Sequence, residues 1–192
     1  MPNKARLLRI AALLLTVAVL LTLSIIFADA FARTRRLHRV LAYARAAADE
    51  FAVPLPLVLA VTEAESDFKP NARSDAGACG LLQVLPDTFA DFHKRLLLEQ
   101  HDADKIFEPR TNIRCGTCYL AYLHERFGDW RVTIAAYNAG EGRVAEWLTD
   151  ARYGNGKTLQ KIPYPETAQY LKKVLNAYKK YSHKYPQKGV SI

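Results

Sequence analysis

A run of 19 uncharged, mostly apolar residues, Ile10 to Ala28, constrains this 192-residue chain more than any other feature. A helix of about 20 apolar residues crosses the hydrocarbon core of a bilayer, so the run is long enough to span and long for a signal-peptide core. Lys4, Arg6 and Arg9 precede it. A run this apolar at the chain terminus is not typical of a buried core helix. The sequence therefore predicts a transmembrane anchor or a signal peptide over residues 1–32.

The flanks of this run leave anchor and cleaved signal both open. Ala28-Asp29-Ala30 fits the small-x-small pattern of a cleavage site. Four arginines follow closely and disfavour cleavage, namely Arg33, Arg35, Arg36 and Arg39. Positive charge on both sides also weakens the orientation argument from the positive-inside rule. We favour the uncleaved anchor, and both alternatives place the remaining chain outside the cytoplasm if the first basic residues stay inside.

Positive charge is concentrated at the two ends of the chain. The net charge of +8 combines +7 over residues 1–45, +6 over residues 172–192 and −5 over the stretch between them. No recognised nucleic-acid motif accompanies this charge, so we expect no nucleic-acid partner. The Lys-rich C-terminal segment is either a solvated helix end or a region attracted to an anionic polymer or membrane surface.

Apolar spacing and Pro/Gly punctuation predict one mainly α domain over residues 33–185, with a short basic tail at 186–192. Half of the residues are apolar, which excludes a disordered chain. Thr34 is a candidate N-cap for the first helix of this domain. The remaining expected elements are helices over 57–66, from Pro86, over 109–127 (ending at Gly128), 129–138, 142–148 and 164–181, and an extended segment over 80–84.

Three cysteines, Cys79, Cys115 and Cys118, bear on compartment and on metal binding. An exported domain is in an oxidising compartment, so we expect one disulfide from Cys79 to Cys115 or Cys118, with the third thiol left over or paired with another chain. The alternative is that the cysteines are small buried residues. Cys115-Gly-Thr-Cys118 has the spacing of a redox pair but lies inside a helical pattern. A zinc site needs a fourth ligand, and the five histidines show no ligand spacing. We expect no metal and no organic cofactor.

Glu65 has the local surroundings of a general acid. It falls in the last turn of a short apolar helix, with Val58, Val61 and Thr62 on its face. Desolvation and the negative end of the helix dipole both raise the pKa of a carboxyl placed there. A general acid that works near neutral pH needs such a pKa. Glu63 lies about 200° around the helix, so we expect it to face solvent.

Four ordered motifs accompany Glu65. In chain order they are Glu65-Ser66-x-Phe68-x-Pro70-Asn71-Ala72-x-Ser74-x-Ala76-Gly77-Ala78-x-Gly80-Leu81-Leu82-Gln83-Val84; Asn112-Ile113-x-x-Gly116-x-x-Tyr119-Leu120; Ala136-Tyr137-Asn138-Ala139-Gly140; and Ile162-Pro163-Tyr164-Pro165-Glu166-Thr167-x-x-Tyr170-x-x-x-Val174. Over roughly residues 42–180 this pattern resembles the soluble lytic transglycosylase (SLT) domain family, the bacterial cousin of goose-type lysozyme. Two departures are small, with Leu82 where Met is usual and Lys69 where Asn is common.

The resemblance implies a mainly α, lysozyme-like fold with a cleft for peptidoglycan glycan strands. It implies cleavage of the β-1,4 bond between N-acetylmuramic acid and N-acetylglucosamine, leaving a 1,6-anhydro ring and adding no water. Glu65 matches the family's one catalytic carboxyl, which acts first as acid and then as base. Two-carboxylate glycosidases need a partner about 5–9.5 Å away, for which Asp67 and Asp75 are the nearby candidates.

The resemblance also implies sugar contacts, carried over by position to six residues: Ser74, Gln83, Tyr137, Asn138, Glu166 and Tyr170. Tyr170 is expected near the catalytic carboxyl. Several of these residues have structural alternatives, as a turn serine, a helix-capping asparagine or a helix N-terminal acid. Tyr164 and Trp147 are either sugar platforms or core residues.

We therefore expect an envelope lytic transglycosylase on the periplasmic side, anchored in the inner membrane through residues 10–28 if these are not cleaved. Small stand-alone domains of this family often open the wall for a secretion, conjugation or pilus system, so such a machine is a candidate partner. Two alternatives stay open. One is a hydrolytic muramidase of the same fold, in which water attacks. The other is a peptidoglycan-binding scaffold without turnover.

Overall fold

The computed structural model describes residues 3–96, 103–187 and 192. It divides into two compact units, Met1–Arg39 and Val40–Ile192. The described residues form seven α-helices, a short 3₁₀ helix at Ala103–Phe107 and three isolated β-bridges, and the predicted mainly α fold is confirmed. The helices are α1 (Lys4–Phe51), α2 (Leu55–Ser66), α3 (Pro86–Arg95), α4 (Pro109–Phe127), α5 (Trp130–Ala139), α6 (Glu141–Thr149) and α7 (Pro165–Lys184).

Helix α1 contains the apolar run. Its most apolar window has a mean hydropathy of 2.8 with none of it buried, so by length and composition it is able to cross a membrane, a test that a signal sequence also passes. The expected new helix start at Thr34 is wrong. Thr34 Oγ1 donates to the Ala30 carbonyl at 2.9 Å, a bond within one continuous helix. No Gly or Pro interrupts the chain there, so nothing ends the helix.

The ends of the expected domains remain predictions. The boundary between the compact units falls after Arg39, whereas the sequence suggests a boundary after residue 32. Residues 188–191 of the expected basic tail lie outside the described residues.

Helix α2 is the central helix of the second unit. Leu55, Leu57, Val58, Leu59 and Val61 are each at most 1% exposed, as expected for a helix that is apolar on every side. It begins at Leu55, directly after Pro54, rather than at the expected residue 57. It packs along α7, whose buried face recurs at helical spacing. This packing places the C-terminal turn of α2 against α7.

Helix α4 has the predicted bounds, and α5 and α6 begin and end within one residue of the predicted positions. α4 ends at Gly128 in the left-handed conformation, and Asp129 caps α5 by accepting hydrogen bonds from the backbone N–H groups of Arg131 and Val132. A core between these helices includes Val132, Val144, Leu148 and Trp147. Trp147 is 6% exposed, so it is a core residue.

The segment expected to be extended, residues 80–84, is instead a tight turn. Cys79 and Val84 exchange two backbone hydrogen bonds of 3.0 Å across it. Gly80 has a φ of 80°, and a Cβ there would lie 2.8 Å from the Ile106 carbonyl oxygen. Gln83 has a φ of 46°. Two residues in the left-handed region reverse the chain, and an extended strand does not contain such residues.

All three cysteines are free, so the expected disulfide is wrong. Cys115 and Cys118 lie within α4, whereas the Cys79 thiol donates to the Gly77 carbonyl at 3.3 Å. Burial raises the pKa of Cys115 to about 12 and also raises that of Cys118. Thiols that stay protonated are poor nucleophiles for disulfide formation.

Candidate active site

Glu65 lies in the last turn of α2 and is partly buried. The Tyr170 hydroxyl, on α7, donates to its Oε1 at 2.6 Å. Burial raises the pKa of Glu65 to about 7, while the Tyr170 hydrogen bond and the charge of Lys173 act in the opposite direction. The carboxyl is therefore near the midpoint of its titration at neutral pH, where a group exchanges protons in both directions.

Two tyrosine hydroxyls share this environment. The Tyr137 hydroxyl, at the end of α5, donates to the Leu82 carbonyl at 2.8 Å. Burial first, and then the neighbouring Glu65 charge, raise the pKa of both Tyr137 and Tyr170 well above the usual range. Both tyrosines therefore stay protonated and act as hydrogen-bond donors. α2, α5, α7 and the turn at residues 80–84 meet at this point.

Besides Tyr137 on α5, side chains from α4 and α2 hold the turn at residues 80–84. Asn112, fully buried on α4, accepts from the Leu82 N–H at 2.8 Å and donates to the carbonyls of Cys79 and Ile106 at 3.0 and 2.7 Å. Ser66 Oγ, next to Glu65, donates to the Leu81 carbonyl at 2.8 Å. Sequence reasoning gave Asn112 no role, although Asn112 begins the second of the four motifs that carry the family resemblance.

Three of the predicted sugar-contacting residues line one cavity of about 200 Å³. They are Gln83, Tyr137 and Asn138. Gln83 is fixed by its own amide, since Nε2 donates to the Ala72 and Gly80 carbonyls at 3.1 and 2.9 Å. The other lining residues, which the sequence analysis did not single out as sugar contacts, are Val84, Leu85, Thr88, Tyr119, Ala139 and Gly140.

Ser74 and Glu166 are placed apart from that cavity's lining. Ser74 is exposed, and its Oγ accepts from the Ala78 N–H at 3.1 Å, which closes the loop as the structural alternative proposed. Glu166 is exposed in the first turn of α7. Tyr164, just before α7, is 46% exposed and packs against the Trp147 ring with centroids 5.0 Å apart.

The expectation that Glu63 faces solvent is wrong. Its side chain is 15% exposed, and its carboxylate accepts hydrogen bonds from the Lys180 ammonium and the Tyr181 hydroxyl, both on α7. The position on the helix wheel was right, but α7 also covers that face of α2. One helix thus carries two carboxyl groups in different surroundings.

Two further carboxyl groups, those of Asp67 and Asp75, follow Glu65 closely in the sequence. Asp67 has a φ of 52° and caps α2, and Asp75 is exposed in the loop. Within residues 3–96 and 103–187, no three or more His, Cys, Asp or Glu side chains are grouped so as to hold a metal ion.

A family comparison matches residues 42–160 to the transglycosylase SLT domain. The soluble lytic murein transglycosylase of Escherichia coli K12 is 36% identical over 135 residues, which cover 67% of this chain and 21% of that protein. Membrane-bound lytic murein transglycosylase C of Serratia proteamaculans is 34% identical over 170 residues, covering 77% of this chain and 48% of the relative. The chain thus spans about a fifth to a half of the length of these relatives.

Solved structures of lytic transglycosylases also match this chain. The lytic transglycosylase Slt of Pseudomonas aeruginosa, solved as an inactive glutamate-to-glutamine mutant, matches with a TM-score of 0.69 at 34% identity, over 78% of this chain and 25% of that one. A 70-kDa soluble lytic transglycosylase in complex with bulgecin A matches with a TM-score of 0.69 at 32% identity, over 77% and 24% of the two chains. From the extent of the family match and the agreement of the fold, the chain belongs to the transglycosylase SLT domain family.

Proposed function

We propose that this chain is a lytic murein transglycosylase that cleaves the β-1,4 bond between N-acetylmuramic acid and N-acetylglucosamine, with Glu65 as its catalytic carboxyl. The main support for this proposal is that Glu65 has a pKa near 7 and accepts a hydrogen bond from Tyr170. The relatives named as lytic murein transglycosylases support the activity. Gln83, Tyr137 and Asn138 are the proposed glycan contacts in the adjoining cavity.

In the first step, protonated Glu65 donates its proton to the glycosidic oxygen as the bond from that oxygen to C1 of the muramyl residue breaks. Burial favours the neutral carboxyl before transfer, and the Tyr170 hydroxyl stabilises the carboxylate that forms. The 2-acetamido carbonyl oxygen of the sugar stabilises C1, which takes the place of an enzyme nucleophile.

In the second step, the Glu65 carboxylate takes the proton of the muramyl 6-hydroxyl while that oxygen bonds to C1. The product carries a 1,6-anhydro ring, no water is consumed, and Glu65 returns to its protonated form. A carboxyl with a pKa near neutrality serves both as acid and as base. The inactive glutamate-to-glutamine mutant of the Pseudomonas aeruginosa relative is consistent with dependence on one glutamate.

The remaining predicted contacts complete the proposal. Tyr170 is the proposed contact to the sugar that reacts at Glu65, because the Tyr170 hydroxyl donates a hydrogen bond to the Glu65 carboxyl. Two more residues are proposed sugar contacts. They are Ser74, in the exposed loop before the turn at residues 80–84, and Glu166, in the first turn of α7. The relative solved with bulgecin A shows that a protein of this fold binds that ligand.

We also propose an envelope location, with residues 10–28 of α1 as an uncleaved inner-membrane anchor and the second unit on the periplasmic side. The apolar window of α1 and the membrane-bound relatives support this proposal. Service to a secretion, conjugation or pilus system is the proposed cellular role. Intact mass of the protein purified from membranes distinguishes an anchored chain from one cleaved near Ala30.

The activity is tested by mass spectrometry of muropeptides that the detergent-solubilised full-length protein releases from purified sacculi, with Glu65→Gln as control. Products ending in 1,6-anhydromuramic acid, one water lighter than reducing ends, are expected from the wild type alone. Reducing-end products would make the protein a muramidase and direct attention to Asp67 and Asp75. Bound sacculi without products would make it a scaffold.

A further inference from the structure

A second side chain of α7 holds the turn that carries Glu65. The Lys173 Nζ donates to the Ala64 carbonyl oxygen at 2.5 Å, and Ala64 directly precedes Glu65. The last carbonyls of a helix have no partner within their own helix, so this oxygen is open to an outside donor. Tyr170 and Lys173 are three residues apart and therefore adjacent on one face of α7. Together they fix two consecutive residues of α2.

The position of Lys173 also has an electrostatic consequence. A helix C-terminus carries partial negative charge, which disfavours a second negative charge on Glu65. The Lys173 ammonium donates a hydrogen bond to a carbonyl of that terminus, and its positive charge offsets the partial negative charge there. The Glu65 carboxyl is thus close to one full positive charge.

The two tyrosines that face Glu65 are neutral. Tyr170 from α7 and Tyr137 from α5 both have pKa values raised well above the usual range and stay protonated. The carboxylate of Glu63, on α2 itself, accepts hydrogen bonds from Lys180 and Tyr181, which lie further along α7 than Tyr170. Of the two α7 side chains that act on Glu65, Tyr170 is a neutral donor and Lys173 is the cation.

We propose that Lys173 is a positioning residue for the reaction: it holds the α2 turn that carries Glu65 and supplies the positive charge that stabilises the carboxylate formed when Glu65 gives up its proton. This inference rests on the proposed function of Glu65. Burial alone favours the neutral acid of the first step, whereas the second step needs the carboxylate. Lys173 keeps both forms accessible in one turnover.

The test uses the full-length protein in detergent and the pH dependence of sacculus turnover. Lys173→Met removes both the charge and the donor, and Lys173→Arg keeps them. Lys172→Met is the control at the neighbouring position, which is exposed as Lys173 is. Loss of the cation raises the pKa of Glu65, so activity that depends on the protonated acid persists to higher pH. In the pH–rate profile, the alkaline limb is the fall in rate at high pH. We expect this limb to lie about 0.5–1 pH unit higher in Lys173→Met than in the wild type, and the maximal rate to be roughly 5- to 10-fold lower.

Two further results are expected if the charge is responsible. Lys173→Arg restores the limb of the wild type, and Lys172→Met leaves it unchanged. In about 1 M salt, where the screening length is about 3 Å, the wild-type limb moves upward while the Lys173→Met limb stays in place. A role in packing alone changes the plateau rate without moving the limb.

The inference is overturned if folded Lys173→Met has the wild-type limb, or if Lys173→Arg fails to restore it. Should Lys173→Met fail to fold, Lys173→Gln takes its place, and the midpoint of Glu65 is read without substrate from the NMR shift of its carboxyl carbon. Full turnover by Glu65→Gln would instead overturn the proposed function itself. An inactive Glu65→Gln with an unmoved Lys173→Met limb rejects the role of Lys173 alone.

Discussion

Glu63 and Glu65 lie two residues apart on α2, and α7 supplies the partners of both. Glu63 meets an ammonium and a hydroxyl, from Lys180 and Tyr181. Glu65 meets the hydroxyl of Tyr170, and burial raises its pKa to about 7. The residues that contact the two carboxyls are about ten positions, or about 15 Å, apart along α7. One pair of packed helices thus builds two different carboxyl environments.

The two surroundings distinguish an ion-paired carboxylate from one that holds a proton near neutral pH, as the proposed catalytic acid must. A directly bound cation compensates the desolvation of Glu63, so its carboxylate acts as an interhelical contact. At Glu65 the directly bound partner is a neutral hydroxyl, and the nearby cation, Lys173, binds the backbone instead. Desolvation therefore outweighs the other effects and leaves Glu65 able to hold a proton near neutral pH.

The largest expected effect is on turnover. Glu65→Gln keeps the shape of the side chain but removes the exchangeable proton, so we expect release of anhydro-muropeptides to fall by about 10³-fold, since general acid–base catalysis contributes about 10²- to 10⁴-fold. Glu63→Gln is the matched variant on the same helix and should stay within a few-fold of the wild type. Similar losses in both variants would show that the two carboxyls do not differ as described.

The tyrosine partners provide the next test. Tyr170→Phe removes the hydrogen bond to the Glu65 carboxylate, and bonds to charged groups are worth about 1.5–3 kcal/mol, so the rate should fall by about 10- to 100-fold. The alkaline limb of the pH–rate profile should also move upward, because that bond lowers the pKa of Glu65. Tyr181→Phe, on the Glu63 carboxylate, should leave the limb in place. A shift in Tyr181→Phe alone would reverse the assignment.

The smallest effects are on stability, and they should have opposite signs. Since the pKa of Glu65 rises from 4.5 to about 7 on folding, its contribution to stability is present below pH 4.5 and lost as the pH rises through 7. Glu65→Gln should therefore increase the free energy of unfolding by about 1–3 kcal/mol at pH 8 relative to its effect at pH 4.5. Glu63→Gln should decrease it by about 1–2 kcal/mol at pH 8, since it leaves Lys180 and Tyr181 with a weaker partner.

Urea unfolding of the full-length variants at pH 4.5 and pH 8 measures both changes. Their turnover need not be intact for this comparison. A Glu65→Gln effect that is no more favourable at pH 8 than at pH 4.5 would mean that the Glu65 carboxylate is well solvated in the folded protein.

Local signals in the sequence predicted much of the fold. Pro109, Gly128 and Asp129 mark helix ends through fixed φ, the left-handed conformation and side-chain capping, and these depend on neighbouring residues only. The position of Glu65 on an apolar helix face predicted its raised pKa for the same reason. The family resemblance added Tyr170 as a neighbour of the carboxyl.

The features that the sequence missed depend on distant parts of the chain. Glu63 is covered because Lys180, 117 residues later, packs against it. The turn at residues 80–84 depends on Asn112, whose amide lies 30 residues beyond Leu82. Lys173 acts on a backbone carbonyl, a partner that no side-chain pattern reveals.

The most direct test of the account is the titration of Glu65 itself, followed by the NMR shift of its carboxyl carbon in the full-length protein and assigned by the signal lost in Glu65→Gln. We predict a midpoint near pH 7. A midpoint near 4.5, the ordinary value for a glutamate, would show that burial does not hold the proton on this carboxyl and would contradict its role as the acid.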